Sequence, residues 1–128
     1  MNRIKKLASV VLSAVVCGAS QVFAAEPETV WTVDDSAETL VITEQPSSGT
    51  AWVFSLTSSG VFGKTTKGSS TALNFRTIPL PEGYGIETIA DSFMSGDTSI
   101  KSVYFPPTVT NIANYAFKSC TALCPASP

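Results

Sequence analysis

The side chains of this 128-residue chain with most scope for chemistry are two cysteines four residues apart, Cys120 and Cys124, and ten carboxylates; histidine is absent. Without an imidazole there is no Ser-His-Asp or Cys-His nucleophile, no His-ligated zinc and no general base titrating near neutral pH. The cysteines could close a disulfide only where the chain turns, because the bond needs α-carbons about 5.5–6 Å apart. They could also serve as two soft metal ligands lacking a third. In the remaining reading Cys120 is a small buried hydrophobe. Asp34, Asp35, Glu38 and Glu44 fall close together but lack the alternating Asp-x-Asp-x-Asp-Gly spacing of a calcium loop, so they read as a solvated turn. Nothing in the sequence sets two of Glu82, Glu87, Asp91 and Asp97 across a cleft as a glycosidase pair. Gly83-Tyr84-Gly85 reads as a turn and not as a strand-to-helix phosphate loop. The expectation is a protein without catalytic residues, cofactor or metal, and so not an enzyme.

The start of the chain has a separate task. Arg3, Lys5 and Lys6 precede the uncharged stretch 7–19, and Val22-Phe23-Ala24 fits the small-x-small pattern read by a signal peptidase. A bilayer-spanning helix needs about 20 apolar residues, more than this stretch supplies. Residues 1–24 therefore read as a cleavable signal peptide, cut after Ala24, with a secreted or cell-surface product. Cys17 does not read as a lipid-attachment site, since bulky Val15 and Val16 precede it. The remainder keeps all ten acidic residues and five basic ones, Lys64, Lys67, Arg76, Lys101 and Lys118. Such an acidic product has no basic stripe for gripping phosphates, and nucleic acid is not an expected partner. Nor does a second apolar stretch reach membrane-spanning length.

Residues 25–76 read as a β-rich N-terminal segment. Apolar and polar residues alternate over 29–33 and again over 39–43, with Asp34-Asp35-Ser36-Ala37-Glu38 between them, which predicts a β-hairpin. Gln45-Pro46-Ser47-Ser48-Gly49 is a turn cluster. A strand over 51–56 puts Trp52, Phe54 and Leu56 on one face. Residues 58–70 read as a loop or weak strand around Val61-Phe62, and 71–75 as the next strand.

Residues 77–128 follow a different rule. Ile86-Glu87-Thr88-Ile89-Ala90-Asp91 matches Val109-Thr110-Asn111-Ile112-Ala113-Asn114 at a spacing of 23, and Ile100 and Leu123 keep that spacing. A Phe follows each copy, Phe93 and Phe117. One structural unit is used about twice.

Val109-Thr110-Asn111-Ile112-Ala113-Asn114-Tyr115-Ala116-Phe117-Lys118-Ser119-Cys120-Thr121-Ala122-Leu123 resembles a BspA-like leucine-rich repeat. Ile112, Ala116, Phe117, Cys120 and Leu123 stand at the fixed positions of that unit, and Val103, Phe105 and Pro106 match its strand and closing proline. Aligned on Phe93, the earlier copy lacks the preceding Ala, has Gly96 for Cys and carries an extra residue before Ile100. The resemblance implies a mainly β fold: a short leucine-rich-repeat coil of parallel strands with loop or short helical returns, preceded by an antiparallel β-rich capping segment. It also implies a binding module for an extracellular protein or other macromolecule, acting in adhesion or recognition.

In such a coil Val103 and Phe105 point inward, and Pro106 and Pro107 end the strand because proline has no N–H for the sheet. Ile112, Phe117, Cys120 and Leu123 stack on Ile89, Phe93 and Ile100, which makes Cys120 a core residue. Tyr104, Ser102, Lys101 and Asn74 are the outward-facing candidates for ligand contact. Repeat coils usually need three or more units and a cap. Two units ending at Cys124-Pro125-Ala126-Ser127-Pro128 therefore predict either an open C-terminal edge capable of self-association or a truncated repeat-protein remnant with a structural role.

Overall fold

The computed structural model describes residues 14–15 and 26–123. The signal-peptide reading of residues 1–24, apart from the backbone of the short strand below, and any bond to Cys124 lie outside the described residues.

The chain is mainly β. Among the described residues its strands are β1 (Ala14–Val15), β2 (Trp31–Asp34), β3 (Leu40–Glu44), β4 (Val53–Leu56), β5 (Val61–Thr66), β6 (Ala72–Asn74), β7 (Thr88–Ile89), β8 (Ser102–Tyr104) and β9 (Asn111–Ile112), and a 3-10 turn spans Phe75–Thr77. The N-terminal half forms as its alternation predicts. β2, β3 and β4 are antiparallel neighbours, with Val33 opposite Ile42 and Ile42 opposite Phe54. One face of each strand is therefore apolar: Trp31, Leu40, Ile42, Phe54 and Leu56 are buried. Residues 61–66, weakly marked in the sequence, form a full strand antiparallel to β4, with Phe62 opposite Leu56.

Beyond β5 the pairing changes hand. β5 is parallel to β7, and β7 to β9, placing Phe62 beside Ile89 and Ile89 beside Ile112. The result is one six-stranded mixed sheet in the order β2-β3-β4-β5-β7-β9. A second sheet has the order β1-β8-β6, in which β6 and β8 are parallel and β1 is antiparallel to β8. The chain thus passes alternately between two parallel ladders. Parallel neighbours cannot be joined by a tight hairpin and need such a return crossing.

One core serves both halves. Phe54 lies at ring-centroid distances of 5.1 Å from Phe62, 5.1 Å from Phe75 and 5.5 Å from Phe93. The contact runs on from Phe93 to Phe117 at 6.1 Å and from Phe75 to Phe105 at 5.4 Å. Residues 25–76 and 77–128 share this aromatic stack, so β5 and β6 supply the first turn of the winding while belonging to the N-terminal half of the sequence. Burying a side chain of this size stabilises by about 1.5–3 kcal/mol.

The backbone resolves the repeat register, and here the sequence alignment is corrected. Ser92 and Tyr115 both have positive φ, 57° and 61°, and so do Gly96 and Ser119, 82° and 64°. The turn bonds recur likewise: the Ser95 N–H donates to Ser92 O and that of Lys118 to Tyr115 O, while Asp97 N–H donates to Met94 O and Cys120 N–H to Phe117 O. Every correspondence is 23 residues. Phe93 thus stands at the place of Ala116, Met94 at that of Phe117 and Asp97 at that of Cys120, with no inserted residue. Aligning the two Phe residues shifts the first copy by one position. Either of two adjacent apolar side chains can satisfy an apolar pattern, and only the left-handed backbone positions fix the phase.

Candidate interaction surface

Two surfaces come into question: the strand side around β6 and β8, and the open face of the last turn of the winding.

On the strand side, the four candidates divide. Lys101 is exposed and Ser102 half-buried. Tyr104 and Asn74, expected to face outward, are instead buried, at 5 % and 2 % exposure. For Asn74 the reason is the segment that precedes β2. The Asn74 backbone N–H donates to Thr29 Oγ1 at 3.0 Å, and its Nδ2 donates to Glu26 Oε1 at 2.8 Å and to Pro27 O at 3.2 Å. Its Oδ1 accepts from the Arg76 N–H at 3.0 Å, capping the 3-10 turn. Its carbonyl accepts from Trp31 Nε1 at 3.1 Å. Arg76 Nε also approaches Glu26 Oε1 at 3.5 Å. Asn74 is thus a pin that fastens residues 26–31 across β6, with both amide hydrogens donated and the amide oxygen accepting.

Tyr104 lies next to Asn74 in the parallel register. Burial, and secondarily the negative charge of Glu26, push its phenol above the ordinary range. The outer edge of its strand carries β1, with Ala14 opposite Tyr104 and Val15 opposite Val103. Val103 and Phe105 are buried as expected. An alternation of period two gives the side on which a residue stands. It does not reveal that a distant segment covers that side.

The acidic side chains do not gather. Asp34 Oδ1 accepts from the Ser36 N–H at 3.0 Å, and its side-chain and backbone bonds to Ser36 hold the carboxyl below its usual range. Glu44 is buried, its Oε1 near the Trp52 N–H at 3.4 Å. Asp97 Oδ1 accepts from the N–H groups of Ser99 and Ile100 at 2.8 and 3.0 Å. Among the described residues, no three Cys, Asp or Glu side chains converge as metal ligands, and no helix is long and apolar enough to cross a membrane. Cys120 is buried with its sulfhydryl directed at Met94 O, 3.0 Å away. Burial, the largest effect, raises its pKa above the ordinary thiol value, reinforced by the Asp97 charge and opposed by the Asp97 N–H and by Lys64.

The second surface is the last turn of the winding. Phe62, Ile89 and Ile112 occupy successive places in one ladder; the first two are fully buried, whereas Ile112 is 49 % exposed. Beside it Tyr115 is 61 % exposed, with the Lys118 ammonium 4.9 Å from its ring centroid. Val109, Phe117 and Leu123 are half-buried where Ile86, Met94 and Ile100, their counterparts one turn earlier, are fully buried. An apolar column therefore emerges at the surface, beside the outer edge of β9, which has no strand partner among the described residues. The repeat pattern predicts Ile112 as a core residue; its exposure reflects what lies beyond it. Tyr115 carries no apolar-period signal and was not identifiable as a surface aromatic from the sequence.

No family model, curated protein or solved structure matches the chain. The fold itself defines the class: a mainly β protein in which an antiparallel meander continues into parallel ladders.

Proposed function

We propose that this chain is an exported recognition module of the BspA-like leucine-rich-repeat type, binding an extracellular protein or other macromolecule without catalysing a reaction. The observation that carries this reading is the 23-residue recurrence of strand, left-handed turn positions and turn hydrogen bonds between residues 86–100 and 109–123. A winding of this kind buries the repeated positions and leaves the intervening ones free to vary, which suits a recognition surface. The basic start, the uncharged stretch and the Ala24 cleavage pattern support export. Cleavage there also removes β1 from the outer edge of β8, leaving the backbone of Ser102–Tyr104 open to a ligand beside exposed Lys101.

The test is capture of the exported chain on immobilised extracellular-matrix proteins, with Lys101→Glu/Ser102→Lys as the comparison. Saturable binding of the wild type that this variant loses supports the reading. Undiminished capture by the variant removes the β8 edge as the binding surface. Failure of the wild type to bind any of them counts against the recognition role.

A further inference from the structure

Among the described residues, two buried side-chain oxygens accept no hydrogen bond, Glu26 Oε2 and Asp97 Oδ2. Glu26 stands next to the point where the sequence pattern puts the export cut, between Ala24 and Ala25. Its other oxygen, Oε1, accepts from Asn74 Nδ2 at 2.8 Å and lies 3.5 Å from Arg76 Nε. The carboxylate is thus held at one oxygen and unmatched at the other. Its charge reaches β8: burial first, and Glu26 second, raise the phenol of Tyr104. In the uncut chain the nitrogen of Ala25 is a neutral amide. Hydrolysis of the Ala24–Ala25 bond by a signal peptidase consumes one water and carries the new carboxylate away on Ala24. It leaves an α-amine on Ala25, protonated below about pH 7.7–8.0. Consecutive α-carbons are about 3.8 Å apart, so this cation is created within reach of the Glu26 side chain.

We propose that the α-ammonium which cleavage creates on Ala25 pairs with Glu26 Oε2 and locks residues 26–31 onto β6. The inference rests on the export reading for the position of the cut and needs no extracellular ligand. An ammonium brings positive charge and N–H donors to the one oxygen of this carboxylate that accepts no hydrogen bond. Asn74 already holds the segment through Thr29 and Pro27, and the ion pair adds a second hold at its free end. Glu26 favours the charged amine and Arg76 opposes it; Tyr104 on β8 and exposed Glu28 complete the ionisable groups around the segment. Pairing raises the folded pKa of the amine above its unfolded value. Its contribution to stability is then fully present below the unfolded pKa and is lost as pH rises through the folded one. Because the amine exists only after the cut, the mature chain has this hold and the precursor does not.

Mass spectrometry of the exported chain tests the cut, and a chain made with Ala25 as its first residue tests the contact. In that chain, NMR titration of the α-amine is expected to give a pKa about one unit or more above the ordinary range. Glu26→Gln, which keeps an acceptor for Asn74, returns it to the ordinary range. Nα-acetylation removes the charge and is expected to lower the urea midpoint at about pH 6. That loss fades as pH passes the folded pKa of the amine, and it is absent in the Glu26→Gln background. Circular dichroism with tryptophan fluorescence verifies that each form folds. An exported chain whose first residue is not Ala25 overturns the cut and the lock that depends on it. An ordinary amine pKa in the Ala25 chain, or an acetylation effect that survives Glu26→Gln, overturns the ion pair even where export and ligand capture hold.

Discussion

Asp97 and Cys120 occupy the same place in successive turns of the winding and meet the need of that place by different chemistry. Each donates its backbone N–H to the carbonyl three residues earlier, Met94 and Phe117. Cys120 then fills its site as a small, weakly polar group whose sulfhydryl reaches Met94 O. Asp97 instead folds the chain onto itself, its Oδ1 accepting from the N–H groups of Ser99 and Ile100, while its Oδ2 is buried without a hydrogen-bond partner.

Asp97 should therefore be replaceable by asparagine and not by alanine. Asp97→Asn keeps the acceptor for both N–H groups and removes a charge from a buried site. Asp97→Ala leaves two donors unpaired, at a cost of about 1–3 kcal/mol. Urea unfolding of the three proteins checks the order; equal midpoints for Ala and Asn would show that the side-chain bonds contribute nothing.

Cys120 should be a slow thiol. Its folded pKa lies above the unfolded value, so the proton is held more tightly in the folded state. That contribution to stability is fully present below the unfolded thiol pKa and is lost as pH rises through the folded one. Alkylation of Cys120, followed by peptide mass spectrometry, is expected to lag its rate in denaturant at every pH and to accelerate at a higher pH than for the unfolded chain.

The left-handed positions of the repeat offer a reciprocal pair. Ser119 has φ 64° where its counterpart Gly96 has φ 82°, and a Cβ at Gly96 would meet nothing within 4 Å. The difference between the two sites is thus mainly backbone strain. Ser119→Gly is expected to stabilise by up to about 1 kcal/mol, and Gly96→Ala to destabilise by about as much. Thermal melts of both variants check the signs.

Gly68 presents the opposite case, a glycine fixed by crowding. A Cβ there would overlap Trp52 Cδ1 and lie 2.6 Å from the Trp52 backbone nitrogen. Trp52 cannot easily retreat, being fully buried, stacked on Phe54 and bonded through Nε1 to Ser70 O at 3.2 Å. Gly68→Ala should cost about 1–3 kcal/mol or more. Shifted tryptophan fluorescence in the folded variant would locate the disturbance at Trp52; an unchanged melting midpoint would show that the loop yields instead.

Much of the local order was legible. Alternation marked β2, β3, β4 and β6 to within two residues at each end, because a strand with one buried face must repeat every second residue. The spacing of 23 was equally visible at Ile86 and Val109, Ile89 and Ile112, and Ile100 and Leu123, since side chains stacked in successive turns must be alike in kind. β5 was faint because Gly63-Lys64-Thr65-Thr66 carries little apolar signal. It is held by its pairing with β4 and β7.

The order of residues sets which segments can form strands, which positions repeat, and that no imidazole is available for catalysis. The tertiary structure alone decided which of those positions is covered. Ile89 and Ile112 are the same residue at the same place in the repeat, yet one is sealed and the other half open, because burial depends on the next layer and not on the side chain. Asn74 shows the converse: a position on a strand's outer face became interior when residues 26–31 crossed it. Local pattern fixes the direction of a side chain, and long-range packing decides whether that direction ends in solvent.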